Sequence, residues 1–534
     1  MKARTRELSP WLVVVGFFAT VTIFGYQSTR MEQDASWDLR NYHYYNAYAF
    51  LYGRLGVDYA PAGIQTYHNP VVDVPFYVII ESFPPRWAGF AFGALHGISF
   101  WLMFRLAGCI LGKAHHPHNV LLALICAGVG MHGAGTVSEL GTTLHDLTIT
   151  PLLIGSLLLL CRQAAAETRS TAPASLMAAV VASGFFLGAA VGLKYTFAIY
   201  GPGLALSLLI LRGRQRAWTP VLCWTASAAI GLAVTAGYWM YQLWSRFGNP
   251  LGFYANELFQ SPYFMPEKTP LRFPPRGILQ SLFLPFYFRV TQWTISETPL
   301  QEIRFALAYV LILAVVLACV LRCVGRPRRM PATISLTRSE WMLLTFFVSS
   351  YILWQRQFST YRYLLPLELV APLVIYVLLR QLIVKPYTRL IVCSILFLLV
   401  VGTMQAPNWG RVPWADSFFG TVAPAIPEPS RSLVLISTST PVAFVIPAFP
   451  PRVRFMRIDP SFVTAGSKMG EEIQRIVAGH DGPAYVLSDV VEIARIDDHL
   501  APHRLVVARS SCTEVRNRVA RGIIFCETTR GPKT

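Results

Sequence analysis

The sequence predicts an α-helical polytopic membrane protein with about eleven transmembrane helices, interfacial helices in its first outer loop and a small C-terminal α/β domain on the periplasmic side. Three observations predict it. Apolar residues make up 54% of the 534 and charged residues 14%, far below the roughly 25% charge of a soluble domain, so lipid must solvate most of the chain. The apolar residues gather into runs close to the roughly 20 residues that a span requires, separated by short polar turns. After Gln405 the composition turns Pro-rich and then polar.

The runs place helices at 10–28, 86–108, 119–138, 147–161, 176–193, 196–211, 219–243, 303–323, 339–355, 364–380 and 388–405. Those at 147–161 and 196–211 are short enough to be tilted or re-entrant. The first follows Lys2, Arg4 and Arg6 but has no small-x-small cleavage site before Arg30, so it reads as a retained helix rather than a signal peptide. Alternate turns carry Arg105 and Lys113, then Arg162 and Arg169, then Arg212, Arg214 and Arg216, then Arg322, Arg326, Arg328 and Arg329, then Arg380, Lys385 and Arg389. This positive-inside pattern puts the N-terminus in the cytoplasm of a bacterial inner membrane and the C-terminal domain in the periplasm. It also accounts for the net charge of +18 without nucleic acid, for which no basic stripe or Arg-rich repeat is present. His115, His116 and His118 fall in one of the inside turns and read as a solvated turn.

Three parts follow: a transmembrane domain at 1–405, a Pro-rich linker at 406–430, and a soluble α/β domain at 431–534. Ser432 to Ile436 and Ala484 to Leu487 read as buried strands, with an amphipathic helix at Gly470 to Val477 between them. Seven cysteines lie in or beside apolar runs and act as small hydrophobes. Cys512 and Cys526 are the only cysteines of the soluble domain and are expected to pair in an oxidising compartment.

Chemistry is expected on the outer face. Asp34, Asp38, Asp58, Asp73, Glu139, Asp146 and Glu257 all fall there, in the long segments Gln27 to Pro85 and Ser245 to Glu302 or in short turns. The stretch Asp34 to Phe50 combines two acids with Arg40, His43 and several tyrosines. On a helix, Asp38, Tyr42, Tyr45 and Ala49 share one face. Further outer motifs hold His68, Asn69 and Asp73, then His145 with Asp146, Lys194, Asn256 with Glu257, and Arg356, Tyr361 and Arg362.

Together these motifs and the helix pattern resemble the C-type (GT-C) superfamily of membrane glycosyltransferases, in particular its bacterial polyprenyl-phosphate-sugar-dependent members, over residues 10 to 405. The resemblance implies that an acidic residue of the first outer loop is the catalytic base, either Asp38 or Asp34; the two stand four apart, where many members have an adjacent pair. Lys194, Arg356 and Arg362 are then candidates for gripping the donor phosphate, Arg by two parallel hydrogen bonds. Arg40, Tyr42, His43, Tyr45, His68, Asn69, Asp73, His145, Asp146, Asn256, Glu257 and Tyr361 are candidates for binding substrate. His145 with Asp146 is also a candidate for holding a divalent cation, Mg or Mn, and no other cofactor is expected.

The expected activity is transfer of a sugar from a polyprenyl phosphate to a lipid, glycan or protein acceptor by inverting displacement. Two rivals have different signatures. A polysaccharide polymerase or ligase would share the lipid-phosphate site but move a whole glycan. A transporter or flippase of lipid-linked sugars would carry internal repeats and carboxylates at mid-membrane depth; the sequence has no internal repeat and few such carboxylates.

Overall fold

The computed structural model describes residues 10–112, 117–166, 173–213, 218–265, 273–289, 294–323, 335–460 and 466–531. Lys2, Arg4, Arg6, Lys113, His115, His116, Arg169, Arg214, Arg216, Arg326, Arg328 and Arg329 lie outside the described residues.

The apolar runs fold as helices, the one at 119–138 as two and the one at 196–211 as a 3₁₀ segment, Tyr195–Tyr200, that continues into an α-helix. From the N-terminus these are α1 (Pro10–Thr29), then two helices of the first loop, α2 (Tyr44–Leu51) and α3 (Asp73–Ser82), then α4 (Pro85–Leu111), α5 (Pro117–Met131) and α6 (Ala134–Glu139). There follow α7 (His145–Ala166), α8 (Pro173–Leu193), α9 (Gly201–Arg212) and α10 (Thr219–Phe247), and in the next loop the short α11 (Asn256–Phe259) and α12 (Gly277–Phe283). The membrane part ends with α13 (Arg304–Cys323), α14 (Arg338–Gln357), α15 (Leu365–Leu382) and α16 (Pro386–Thr403). Among the described residues nine helices are long and apolar enough to cross a membrane. The other two predicted spans are α5, which has 15 residues, and α14, which carries Arg338, Glu340 and Arg356. The chain is thus a multi-pass membrane protein, because only helices satisfy backbone polar groups in lipid without a closed barrel.

The run read as one helix at 119–138 is broken. Its second part, α6, starts anew after Gly133, where a Cβ would come within 2.1 Å of the Glu368 carboxylate. That carboxylate accepts from the Gly135 and Thr136 amides at 2.9 and 2.8 Å, so it takes the place of the helical carbonyls that a continuous helix would have used. α15 is the central helix and nearly all its side chains are buried. α1, α10, α13 and α16 lie at the periphery and turn Trp11, Leu222, Leu313 and Leu398 outward, as lipid-facing helices do.

Hydrophobicity does not drive helices together in lipid, so close backbone approach does. At Gly93 of α4 an added Cβ would lie 2.6 Å from the Phe24 carbonyl of α1; at Gly188 of α8 it would lie 1.8 Å from the Ala228 carbonyl of α10. Gly231 of α10 faces the Phe185 carbonyl in the same way, at 2.2 Å.

Beyond the membrane, β3 (Leu433–Ile436), β4 (Arg454–Arg457), β5 (Ala484–Asp489), β6 (Leu505–Val507), β7 (Thr513–Glu514) and β8 (Ile523–Arg530) form one mixed sheet, ordered β4-β3-β5-β8-β6, with β7 beside β8. β3 runs parallel to β4 and β5, and β8 is antiparallel to β5. Helix α17 (Lys468–Ala478) connects β4 to β5. Cys512 and Cys526 form a disulfide across a separation of 14 residues.

Two devices join sheet and helices. Gln33–Asp34 (β1), just after α1, pairs antiparallel with Arg411–Val412 (β2). The first loop then covers the sheet edge at β4: the Tyr59 amide donates to the Phe455 carbonyl at 2.9 Å and the Tyr59 carbonyl accepts from the Arg457 amide at 3.0 Å. Arg54 and Asp58 lock this edge, with an ion pair of 2.5 Å, an Arg54 bond to the Val453 carbonyl at 2.5 Å, and an Asp58 bond from the Phe455 amide at 2.9 Å. An otherwise bare strand edge is thereby closed by the chain itself. The first loop and the sheet consequently share one face of the membrane domain.

The helix packing makes a prediction. Gly188→Val forces α8 and α10 apart and is expected to cost roughly 1–3 kcal/mol or more. Gly155→Ala, whose Cβ would meet Phe186 at an ordinary 3.5 Å, is expected to be near neutral. Thermal unfolding of both variants in detergent checks this; equal midpoints would mean that α8 and α10 do not pack through their glycines.

Candidate active site

The site begins in the turn that leads into α2. Residues Leu39–His43 form a π-helical turn rather than α-helix. Such a turn closes one residue later than an α-turn and so inserts one residue into the helical register. The single face expected for Asp38, Tyr42, Tyr45 and Ala49 is therefore split. Asp38, Tyr42 and His43 belong to the site, whereas Tyr45 turns away and donates to Asp58 at 2.8 Å, in the lock on the sheet edge.

Asp38 is only 7% exposed and accepts from Arg362 at 2.6 Å. The Tyr42 hydroxyl also donates to it. Burial pushes the Asp38 carboxyl up, but the nearby charges of Arg362 and Lys194, together with these hydrogen bonds, outweigh it and hold the group below its ordinary value. Arg362 comes from the short turn Tyr361–Leu364 that leads into α15. Lys194 follows the last residue of α8 and pairs with Asp146, in the first turn of α7, at 2.7 Å.

Both cations sit 5.3 Å from the centre of the Tyr363 ring, so one aromatic ring gathers them. Their side chains keep 16% and 18% of their surface, which leaves a way in for an anion. Arg362 Nε, Tyr195 Oη and Thr196 Oγ1 are buried and have no hydrogen-bond partner among the described residues. Buried donors without partners are costly, and a ligand that accepts from them removes that cost.

Beside this group, Asp73 Oδ1 lies 2.5 Å from both His43 Nδ1 and His145 Nε2. Burial raises the Asp73 carboxyl well above its ordinary value, with Lys194 opposing and Asp38 adding to the rise. Burial likewise holds His43 well below its usual value and His68 down to about 4. His68 lies among rings, 5.2 Å from Tyr42, 5.3 Å from Phe253 and 5.9 Å from Tyr254.

The structure distinguishes Asp34 from Asp38. Asp34 accepts from the Ser36 amide at 2.8 Å and from the Thr143 amide and hydroxyl at 2.8 and 2.7 Å, so its oxygens are committed to holding the turn before α7. Arg40 is half-buried near Asp34. Asn69 staples the loop to the carbonyls of Gly192 and Thr235 at 2.7 and 2.9 Å. Asn256 is committed to its own loop, donating to the carbonyls of Ser261 and Phe264, while Glu257 is exposed. Tyr361 is fully buried and donates to Glu368 inside the helix bundle. Arg356 is exposed on the last turn of α14 and forms no ion pair with Asp38, Asp73 or Asp146 among the described residues.

His145 and Asp146 do not act as a pair: adjacent residues at a helix start point apart, one to Asp73 and the other to Lys194. Among the described residues the group that could hold a metal ion is instead His43, Asp73 and His145, whose ligand atoms lie within 4.8 Å of one another. Two imidazoles and one carboxylate suit Zn²⁺ or another first-row ion that accepts nitrogen ligands, Mn²⁺ included, better than Mg²⁺, which prefers oxygen ligands. Sequence reasoning missed Tyr363, Tyr195 and Thr196. The signal for Tyr363 was there, an aromatic directly beside Arg362, but nothing in the sequence brings Lys194 to the same ring.

His68 is expected to stay neutral between about pH 5 and 8. Because its proton binds less readily in the folded state than in the unfolded chain, this residue's contribution to stability is lost as the pH falls from about 6.5 towards about 4. NMR of ring-labelled histidines checks it; a His68 midpoint near its ordinary value would mean that the ring is solvated.

No family model matches the sequence, and no curated protein does either. Solved structures do. The chain is similar to ArnT from Cupriavidus metallidurans bound to undecaprenyl phosphate, with a TM-score of 0.54 and 13% identity, covering 98% of each chain. The apo state of the same protein matches with a TM-score of 0.54 and 13% identity, over 96% of this chain and 97% of that one. At such identity the likeness establishes architecture and leaves the chemistry to the residues. The chain has, over nearly its whole length, the fold of that ArnT structure.

Proposed function

We propose that the protein is a membrane glycosyltransferase that moves a sugar from a polyprenyl-phosphate donor to an acceptor on the periplasmic face of a bacterial inner membrane, by a single inverting displacement. The observation that carries the reading is the meeting of Asp38 with Arg362, beside Lys194, at the membrane face that bears the sheet. The C-type fold supports it, as does the undecaprenyl phosphate bound to the similar ArnT structure. The basic turns predicted from the sequence support the orientation.

In this mechanism the acceptor hydroxyl attacks the anomeric carbon while Asp38 takes its proton, and the bond from that carbon to the phosphate oxygen breaks. Polyprenyl phosphate leaves with the negative charge, which Arg362 and Lys194 stabilise. In the free protein Arg362 suppresses the basicity of Asp38. A bound donor phosphate competes for Arg362, which releases Asp38 and raises its proton affinity when the acceptor arrives. Asp146 holds Lys194 in place. Tyr42 and His68 supply ring faces for the sugar. The two imidazoles on Asp73 position the π-turn, and each step of the displacement uses the chain's own side chains.

Purified protein given labelled polyprenyl-phosphate sugars is expected to transfer the label to an acceptor. Asp38→Asn should lower kcat by about 10²–10⁴. Arg362→Ala and Lys194→Ala should raise the KM for the donor as well as lower kcat, whereas Arg356→Ala and Asp34→Asn should show no such effect on donor affinity. Undiminished turnover by Asp38→Asn would remove it as the base. Passage of lipid-linked sugar across a vesicle without transfer would make the protein a transporter, and en bloc transfer of a glycan would make it a ligase.

A further inference from the structure

A cavity lies on the side of α2 away from the candidate active site. Tyr44, Tyr48 and Tyr52 follow one another at intervals of four residues, so they line up along one helix face, away from Tyr42 and His43. Their stripe forms one wall of a cavity of about 660 Å³ that is closed by the end of α3, the start of α4, the stretch Asp416–Thr421 and the segment Phe444–Pro451 of the soluble domain. Asp38, Arg362, Lys194, Asp73 and the histidines of the candidate active site take no part in it.

The wall is an aromatic surface. Tyr44 lies 5.0 Å from Tyr77 and 4.4 Å from Phe419, and Tyr48 lies 5.0 Å from Tyr52. Tyr52 and Phe83, which also line it, stay 64% and 55% exposed. Two carboxylates, Glu81 and Asp416, are the only charged groups that line it among the described residues. The Tyr44 hydroxyl donates to Glu81, which leaves other lone pairs of that carboxylate open to a ligand. The Thr421 hydroxyl is buried and has no partner among the described residues.

Those features narrow the ligand. Without Lys, Arg or His in the lining, a phosphate or other anion would meet only like charge in Glu81 and Asp416. A lone ammonium group would suit the rings and the acids, but it fills only a small part of this volume, which lies within the range for an extended small molecule. A chain of sugar rings meets every condition: its apolar faces stack on tyrosine rings, and its hydroxyls donate to carboxylates and accept from Tyr and Thr hydroxyls.

We propose that this cavity is a binding site for a neutral oligosaccharide, separate from the Asp38 site. The proposal does not depend on the transfer reaction. If that reaction holds, the cavity is where a glycan acceptor or its extension is held.

Calorimetry of the full-length protein in detergent, with a panel of neutral tri- and tetrasaccharides of glucose, mannose, galactose and N-acetylglucosamine, tests it. At least one is expected to bind saturably, and Tyr52→Ala and Phe83→Ala to weaken it by about tenfold each. Both residues are exposed, so unchanged unfolding midpoints are expected to accompany the loss. Asp38→Asn is expected to bind as wild type does, which separates failure of this site from failure of the transfer reading. Absence of binding across the panel, binding that both ring variants retain, or saturable binding of choline in place of saccharide would each overturn the proposal.

Discussion

A carboxylate removed from water must find cations or hydrogen-bond donors, and in this chain that requirement decides where the loops go. Asp34 draws the turn before α7 onto the strand that follows α1. Asp58 ties the first loop to β4 through Arg54. Glu368 starts α6 and receives Tyr361, while Arg304, itself fully buried, pairs with Glu302 at 2.9 Å and donates to the carbonyls of His132 and Glu368 at 3.0 Å each. Asp38 and Asp146 fix the two cations of the candidate active site. Remove these pairings and the helices would still be helices, but the loops between them would have no reason to converge.

The helices were legible because lipid imposes a length and a composition that a sequence displays directly. Two soluble strands were legible as continuous apolar runs, among them Leu433–Ile436, which is buried on both faces, whereas the equally apolar starts of β6 and β8 were not read. β4 was not: its sequence Arg454–Arg457 begins and ends with a charged residue, and it is a strand because Arg457 is buried against the Pro61 carbonyl at 2.7 Å. The break before α6 was hidden for a similar reason. Gly133 tolerates a helix locally, and the carboxylate that interrupts it arrives from more than two hundred residues away.

The candidate site was half legible. A lone Lys after a long apolar run, an Arg between tyrosines and acids just after the first helix are anomalies that lipid makes conspicuous. Which acid faces the cations was not visible, since Asp34 and Asp38 differ only in which donors surround them after folding. Nor was the π-turn, which is set by tertiary contacts and undoes the helical face that regular spacing suggests. Periodicity reads an element correctly only while its hydrogen-bond step is constant.

That turn gives the soluble domain a structural reason to matter to the site. Residues on one side of it, Asp38, Tyr42 and His43, meet the cations and Asp73, while Tyr45 on the other side meets Asp58, Arg54 and, through them, the edge of the sheet. The segment between them is short and helical, so it transmits position rather than absorbing it. The sheet edge and the ion pair at Asp38 are thus two ends of one short helical segment, and the register of the turn is what keeps both engaged at once.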